Sequence, residues 1–148
     1  MADVLIVFGS TTGNTEVVAG NIAEILKGGG HGVTVQDAGK TDPAGLCAGR
    51  DCVLFGCSTW GDDSIVLQDD FAVLFESFDA IGATGVKTAV FGCGDSSYSY
   101  FCGAVDSIYD KLEELGAHII ASKLKIDGDP ADADDEIASW TAGVAAAL

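Results

Sequence analysis

The chain has 148 residues, and 7 Lys+Arg against 23 Asp+Glu give a formal net charge of −16. A chain of that length suits one domain, residues 1–148, and buries roughly 70% of its unfolded surface, so it needs no disulfide staples. The charge excludes a general nucleic-acid binder or a dock on anionic membrane, and 48% hydrophobic residues with a mean hydropathy of +0.32 exclude disorder.

Residues 4–8 (VLIVF) form the first predicted strand, almost wholly apolar, as strands buried on both faces are. The apolar run from residue 4 to residue 9 lacks a basic flank and is too short for a signal peptide or a membrane span. Five cysteines are an odd number, so a disulfide framework is not expected and a reducing cytoplasm is the simpler setting.

The strand runs into Gly9-Ser10-Thr11-Thr12-Gly13-Asn14-Thr15, which opens a helix. Four hydroxyls and two glycines with no charge make a neutral cradle for an oxyanion at a helix N-terminus. One capping hydroxyl would need no further account, but four around two glycines go beyond capping. Asn14 stands where a P-loop has Lys, and the G-x-x-x-G spacing is not a dinucleotide fingerprint. With no base to balance a triphosphate, a single terminal phosphate suits the loop best.

Val18, Ile22, Ile25 and Leu26 form one helix face, with Gly28 as the predicted C-cap. Residues 32–36 form a second strand. Residues 38–51 show no clear period and read as a loop, or as a short helical turn after Asp42-Pro43. Residues 52–57 (CVLFGC) form a third strand, running into Ser58-Thr59-Trp60-Gly61-Asp62-Asp63. Leu67, Phe71, Leu74, Phe75 and Phe78 make a helical stripe. Residues 87–92 form a fourth strand, which runs into Cys93-Gly94-Asp95-Ser96-Ser97-Tyr98-Ser99-Tyr100-Phe101-Cys102. Val105, Ile108, Tyr109, Leu112 and Leu115 give another stripe, with Gly116 at its C-cap. Residues 117–126 form an unbroken fifth strand. The Asp-rich stretch 127–136 reads as a solvated turn whose later acids suit the start of the last helix, striped by Ile137, Trp140, Val144 and Leu148.

Strand–helix alternation implies an α/β fold: a parallel sheet with helices on both faces, whose ligands bind beyond the carboxyl ends of the strands. Trp60 and Tyr98 lie in two of the loops at that edge. Large aromatics forfeit burial in loops unless something covers them, so the pair could sandwich a planar heterocycle with a monophosphate tail.

Ser10-Thr11-Thr12-Gly13-Asn14-Thr15, Ser58-Thr59-Trp60-Gly61-Asp62 and Gly92-Cys93-Gly94-Asp95-Ser96-Ser97-Tyr98 resemble the three cofactor loops of flavodoxins, over the whole chain. The likeness is greatest to the short-chain type of sulfate-reducing bacteria, because no insertion interrupts the last strand. The resemblance implies a flavodoxin-like three-layer sandwich with a five-stranded parallel sheet in the order 2-1-3-4-5. It implies one non-covalent FMN. Ser10, Thr11, Thr12, Asn14 and Thr15, around Gly13, would hold the phosphate. Trp60 would cover the inner ring face and Tyr98 the outer face. Backbone groups near Gly61, Asp62, Asp95 and Cys102 would meet the polar ring edge, and Tyr100 and Phe101 would line the ribityl and ring side. Ser58, Thr59, Cys93 and Gly94 complete the two flanking loops.

The resemblance further implies a low-potential one-electron carrier, not an enzyme. It would cycle between a neutral semiquinone, favoured by a backbone turn at Gly61, and an anionic hydroquinone. Asp62, Asp63, Asp69 and Asp70 crowd residues 58–70 without a base. One carboxylate about 10 Å from the anion would disfavour it by roughly 0.4–1.7 kcal/mol, on the order of 20–70 mV. The implied partners are redox proteins with basic surfaces, such as multihaem cytochromes, hydrogenase or pyruvate oxidoreductase systems, met as a cytoplasmic monomer.

Two rivals share the fold: an FMN-dependent quinone reductase, which usually needs more loops or subunit contacts, and a receiver-type signalling module. Ser58-Thr59 stands where the receiver would carry its phosphoacceptor Asp. Cys47, Cys52 and Cys57 have no C-x-x-C spacing, and with two His no metal site or hydrolytic group is expected.

Overall fold

The computed structural model describes residues 2–11, 13–60, 66–97 and 101–148, with the backbone only of Trp60 and Val66. β1 (Asp3–Gly9) leads to α1 (Asn14–Gly28) and then to β2 (Gly32–Asp37) and β3 (Cys52–Cys57). α2 (Asp69–Phe75), β4 (Lys87–Gly94) and α3 (Gly103–Glu114) follow. Two short strands, β5 (His118–Ile119) and β6 (Leu124–Asp127), precede α4 (Asp134–Ala146).

The sheet is parallel in the order β2-β1-β3-β4, with β5 and β6 in turn occupying the fifth position beside β4. In register, Val4 lies between Val33 and Cys52, and Gly56 lies beside Phe91. This is the expected 2-1-3-4-5 order, and its register brings the carboxyl ends of β1, β3 and β4 to one edge.

Strand periodicity divides the core into two layers. Val4, Ile6 and Phe8 face α1 and α4, packing with Val18, Ile22, Leu26, Phe91 and Trp140. Leu5 and Val7 face the other side, packing with Phe55, Phe71, Phe78, Ile108 and Leu112 under α2 and α3. β1 and β3 are buried on both faces, which is why their sequences carry no polar alternation.

Four expectations are corrected. The fifth strand is not continuous: residues 120–123 leave the ladder, so Thr88 pairs with Ile119 and Phe91 with Leu124. The excursion is held from both sides, by Lys123 Nζ on the Asp106 carboxylate (2.8 Å) and by Trp140 Nε1 donating to Ser122 O (2.7 Å). Leu67 is not helical. It pairs with Thr59 in a two-residue antiparallel ladder, and α2 spans only Asp69–Phe75 before a 3-10 turn at Phe78–Ala80. Gly28 is the last residue of α1 and Gly29 its C-cap, while the left-handed φ of +91° falls at Gly30 and lets His31 N reach Leu26 O at 3.1 Å. Residues 38–51 keep the expected turn after Asp42-Pro43, with Leu46 N on Pro43 O (3.3 Å) and Ala48 N on Gly45 O (2.9 Å), and differ from the expectation only in opening with a 3-10 turn at Ala38–Lys40, set by Asp37 accepting from Gly39 N. Gly116 caps α3 as expected, at φ +81° with Ala117 N on Leu112 O.

Candidate functional site

The loop after β1 turns on Gly13, whose φ of +96° is costly for any side chain with a Cβ. Ser10 Oγ accepts from Gly13 N at 3.1 Å, and Val17 N to Gly13 O (3.0 Å) is the first helical bond of α1. The N–H groups of Asn14, Thr15 and Glu16 therefore point out of the helix end with no acceptor among the described residues. Since Ser10 Oγ already takes one N–H, its own proton is available to a ligand. The loop thus offers several free hydrogen-bond donors, and with no charged group it suits an oxyanion.

Three loops are stitched together by side chains. Thr15, fully buried, lies with its Oγ1 2.7 Å from Ser58 Oγ, which joins the first loop to the second. Ser58 N donates to Gly9 O, and Gln68 N donates to Ser58 O at 3.0 Å. The Thr59–Leu67 and Trp60–Val66 pairs close the base of the segment 61–65. Thr59 Oγ1 accepts from Ala104 N (2.9 Å) and so caps α3, tying the second loop to the helix that follows the third.

In the third loop Asp95 is exposed, and its carboxylate accepts from Ser97 Oγ (2.6 Å) and Ser97 N (2.9 Å). The Ser97 hydroxyl, then its backbone N–H, hold the Asp95 carboxyl below its ordinary value. Both bonds fall on Oδ1, so the Asp95 side chain is tied into its own turn. Ser96 donates through N (3.0 Å) and Oγ (2.5 Å) to the Asp127 carboxylate, and Gly128 N donates to Gly94 O. Asp127 therefore anchors the third loop rather than lying free in solvent, which the Asp-rich reading of 127–136 missed.

Cys102 takes φ +51°, the left-handed region, at the N-cap of α3, a sparsely populated setting for a side chain. Its Sγ sits near Gly92 O (3.7 Å) and Ile126 O (3.8 Å), within the core. Burial pushes the Cys102 thiol up to about 12 and that of Cys93 up to about 11, the Thr15 hydroxyl working against the latter. Both thiols are core groups, Cys93 on the α1 side of the sheet and Cys102 on the α3 side. Phe101 is half-buried against that second layer.

Of the expected site residues, Ser10, Thr11, Gly13, Asn14, Thr15, Ser58, Thr59, Cys93, Gly94, Asp95, Phe101 and Cys102 lie at this edge. Thr12, Gly61, Asp62, Tyr98 and Tyr100, together with Asp63 and the Trp60 side chain, lie outside the described residues. Gln68 was missed. It is buried, at 2% exposure, with Nε2 on Thr11 Oγ1 (3.1 Å) and Oε1 accepting from Phe71 N (3.1 Å). The available signal was an amide breaking an apolar stripe just before the acids Asp69 and Asp70, the pattern of a helix start.

Among the described residues no group of three or more His, Cys, Asp or Glu is placed to hold a metal, and no helix is long and apolar enough to cross a membrane. A family model described as flavodoxin matches residues 6–140. The chain is 57% identical to a flavodoxin of Nitratidesulfovibrio vulgaris over 148 residues, all of both chains. It is 52% identical to a flavodoxin of Maridesulfovibrio salexigens over 145 residues, 98% of each. Among solved structures, oxidised flavodoxin 1 of Bacillus cereus superposes with a TM-score of 0.90 at 32% identity, covering 99% of each chain.

Proposed function

The chain belongs to the flavodoxin family, as a short-chain FMN-binding electron-transfer protein rather than an enzyme, and from that premise we propose how its residues serve the cofactor. The observation that carries the reading is the uncharged, donor-rich cradle at the start of α1, stitched by Thr15 and Ser58 to the loop that carries Trp60. That donor set fits a phosphate ester: free N–H groups and hydroxyl protons, with no carboxylate from the loop itself and no cation required.

Bound FMN supplies one-electron redox chemistry. The chain does the rest. Ser10, Thr11, Thr12, Asn14 and Thr15 would donate to the phosphate, with Thr15 acting through its N–H because its hydroxyl is committed to Ser58. Trp60 and Tyr98 would cover the two ring faces and exclude water, with Tyr100 and Phe101 alongside. Backbone groups near Gly61, Asp62, Asp95 and Cys102 would bond the ring edge. Gly61 is the residue that would let a carbonyl turn over toward the ring, since Gly adopts both backbone conformations at little steric cost.

The seven bases all fall outside residues 9–15, 57–68 and 93–102, so nothing positive in these loops offsets the phosphate. Asp69, Asp70 and Asp95 are exposed at the same edge, and the sequence adds Asp62 and Asp63. This supports a low-potential shuttle that works mainly between the one-electron- and two-electron-reduced levels; we further propose that it acts as a single domain and a cytoplasmic monomer. Its acidic surface would steer redox partners with basic faces, of which multihaem cytochromes, hydrogenase and pyruvate oxidoreductase systems are the proposed kinds.

A reductive titration with FMN tests this. The expected course is two well-separated one-electron steps, the second strongly reducing and raised when Asp62, Asp63 and Asp95 are changed to Asn together. A single two-electron step, or no rise in the triple variant, would overturn the account.

A further inference from the structure

We propose that Gln68 is a positioning residue for phosphate recognition, acting through the hydroxyl of Thr11; the inference rests on the FMN-phosphate reading of the first loop. The amide is fixed by its surroundings. Oε1 accepts from Phe71 N at 3.1 Å, so Nε2 is the end that faces Thr11 Oγ1 at 3.1 Å, with Asp70 Oδ2 at 3.3 Å as its second acceptor. Its backbone is held as well, Gln68 N donating to Ser58 O at 3.0 Å. The side chain passes over the end of β1, where a Cβ on Gly9 would stand 2.5 Å from Oε1. Gly at position 9 is thus what leaves room for an amide at this depth.

A hydroxyl that accepts a hydrogen bond keeps one proton to donate. With Nε2–H directed at Thr11 Oγ1, the Thr11 proton is turned away from the core, on the exposed side of the cradle. Left alone, an exposed threonine hydroxyl rotates freely, and its proton samples several directions until a ligand orients it. Gln68 removes that ambiguity and makes Thr11 a dedicated donor, as Gly13 N does for Ser10. Because Ser58 O holds Gln68 N, the same residue also fixes the spacing between the first two loops.

The test compares binding of FMN and of riboflavin, which lacks the phosphate, to the apo-protein, together with competition by inorganic phosphate. Gln68→Met should weaken FMN binding about tenfold, leave riboflavin within about twofold and weaken competition by phosphate. Thr11→Val should do the same, and the double variant should lose no more than the larger single. Equal losses for FMN and riboflavin, no loss, or losses that multiply in the double variant would overturn the proposal. Should Gln68→Met unfold, Gln68→Glu retains Oε1 for Phe71 N and carries the test, its FMN loss shrinking in a Thr11→Val background; an unchanged loss overturns the proposal. Failure of the unaltered protein to prefer FMN over riboflavin would instead overturn the phosphate reading itself.

Discussion

Ser58→Ala removes the oxygen partner of a hydroxyl with little alternative. Thr15 is fully buried, and Ser58 Oγ stands 2.7 Å from its Oγ1. The sulfur of Cys93, a weak acceptor, also lies beside it. Stranding a buried hydroxyl costs about 1–3 kcal/mol. Thr15→Val strands the half-buried Ser58 instead, which can turn toward water, and should cost about 1 kcal/mol. The double variant loses only the net value of one hydrogen bond, again about 1 kcal/mol. The two single losses should therefore exceed the double loss by roughly 1–3 kcal/mol. Urea unfolding of the apo-protein reads this. With a slope of about 2 kcal/mol/M, Ser58→Ala lowers the midpoint by roughly 0.5–1.5 M, and adding Thr15→Val lowers it no further. Additivity within about 0.5 kcal/mol would mean that the two hydroxyls are not coupled and that the stitch between the loops does not exist.

Thr88 Oγ1 is buried with no hydrogen-bond partner among the described residues, so Thr88→Val should raise stability by about 1 kcal/mol and Tm by roughly 2–4 °C in a thermal scan. Burial works to raise the Asp106 carboxyl, but hydrogen bonds from Lys123 and Lys125 outweigh it and hold the group below its ordinary value of 3.8. A depressed carboxyl stabilises the fold above the unfolded-state value and loses that contribution as pH falls through the folded-state value. Asp106→Asn should therefore flatten the stability profile below about pH 4 and leave its slope between about pH 5 and 8 unchanged. Burial pushes the thiols of Cys47 and Cys93 up to about 11 and those of Cys52, Cys57 and Cys102 up to about 12. A disulfide reagent at about pH 8 should leave all five unmodified in the native protein and titrate all five in denaturant; fast native reaction would contradict their burial.

The parallel sheet was legible because β1, β3 and β4 are apolar runs buried on both faces and separated by helical stripes, whereas its strand order followed only from the resemblance carried by the three loops. The first loop was legible for a local reason, since four hydroxyls around two glycines state their chemistry within seven residues. What escaped depends on contacts distant in sequence. Ile120 and Ala121 continue the apolar run of the fifth strand, and nothing nearby shows that Asp106 and Trp140 will draw the next two residues out of the ladder. Leu67 stands four residues before Phe71, so its spacing is helical even though Thr59 claims it as a strand partner. Gln68 and Asp127 became informative only when Thr11, 57 residues away, and Ser96, 31 residues away, were seen beside them.

The break in the last strand sets where this fold can grow. Residues 120–123 face only Ala89 and Val90 across the ladder, so chain has already been paid out there beyond what pairing requires. β5 and β6 are each secured to β4 on their own account, and the registers on either side do not depend on the length between them. Extra residues at this point would sacrifice no strand pairing. Doubling the excursion would cost only about 0.6 kcal/mol in closure entropy. The sheet edge farthest from β2 is thus a place where whole segments can be added while the loops that meet the cofactor keep their spacing.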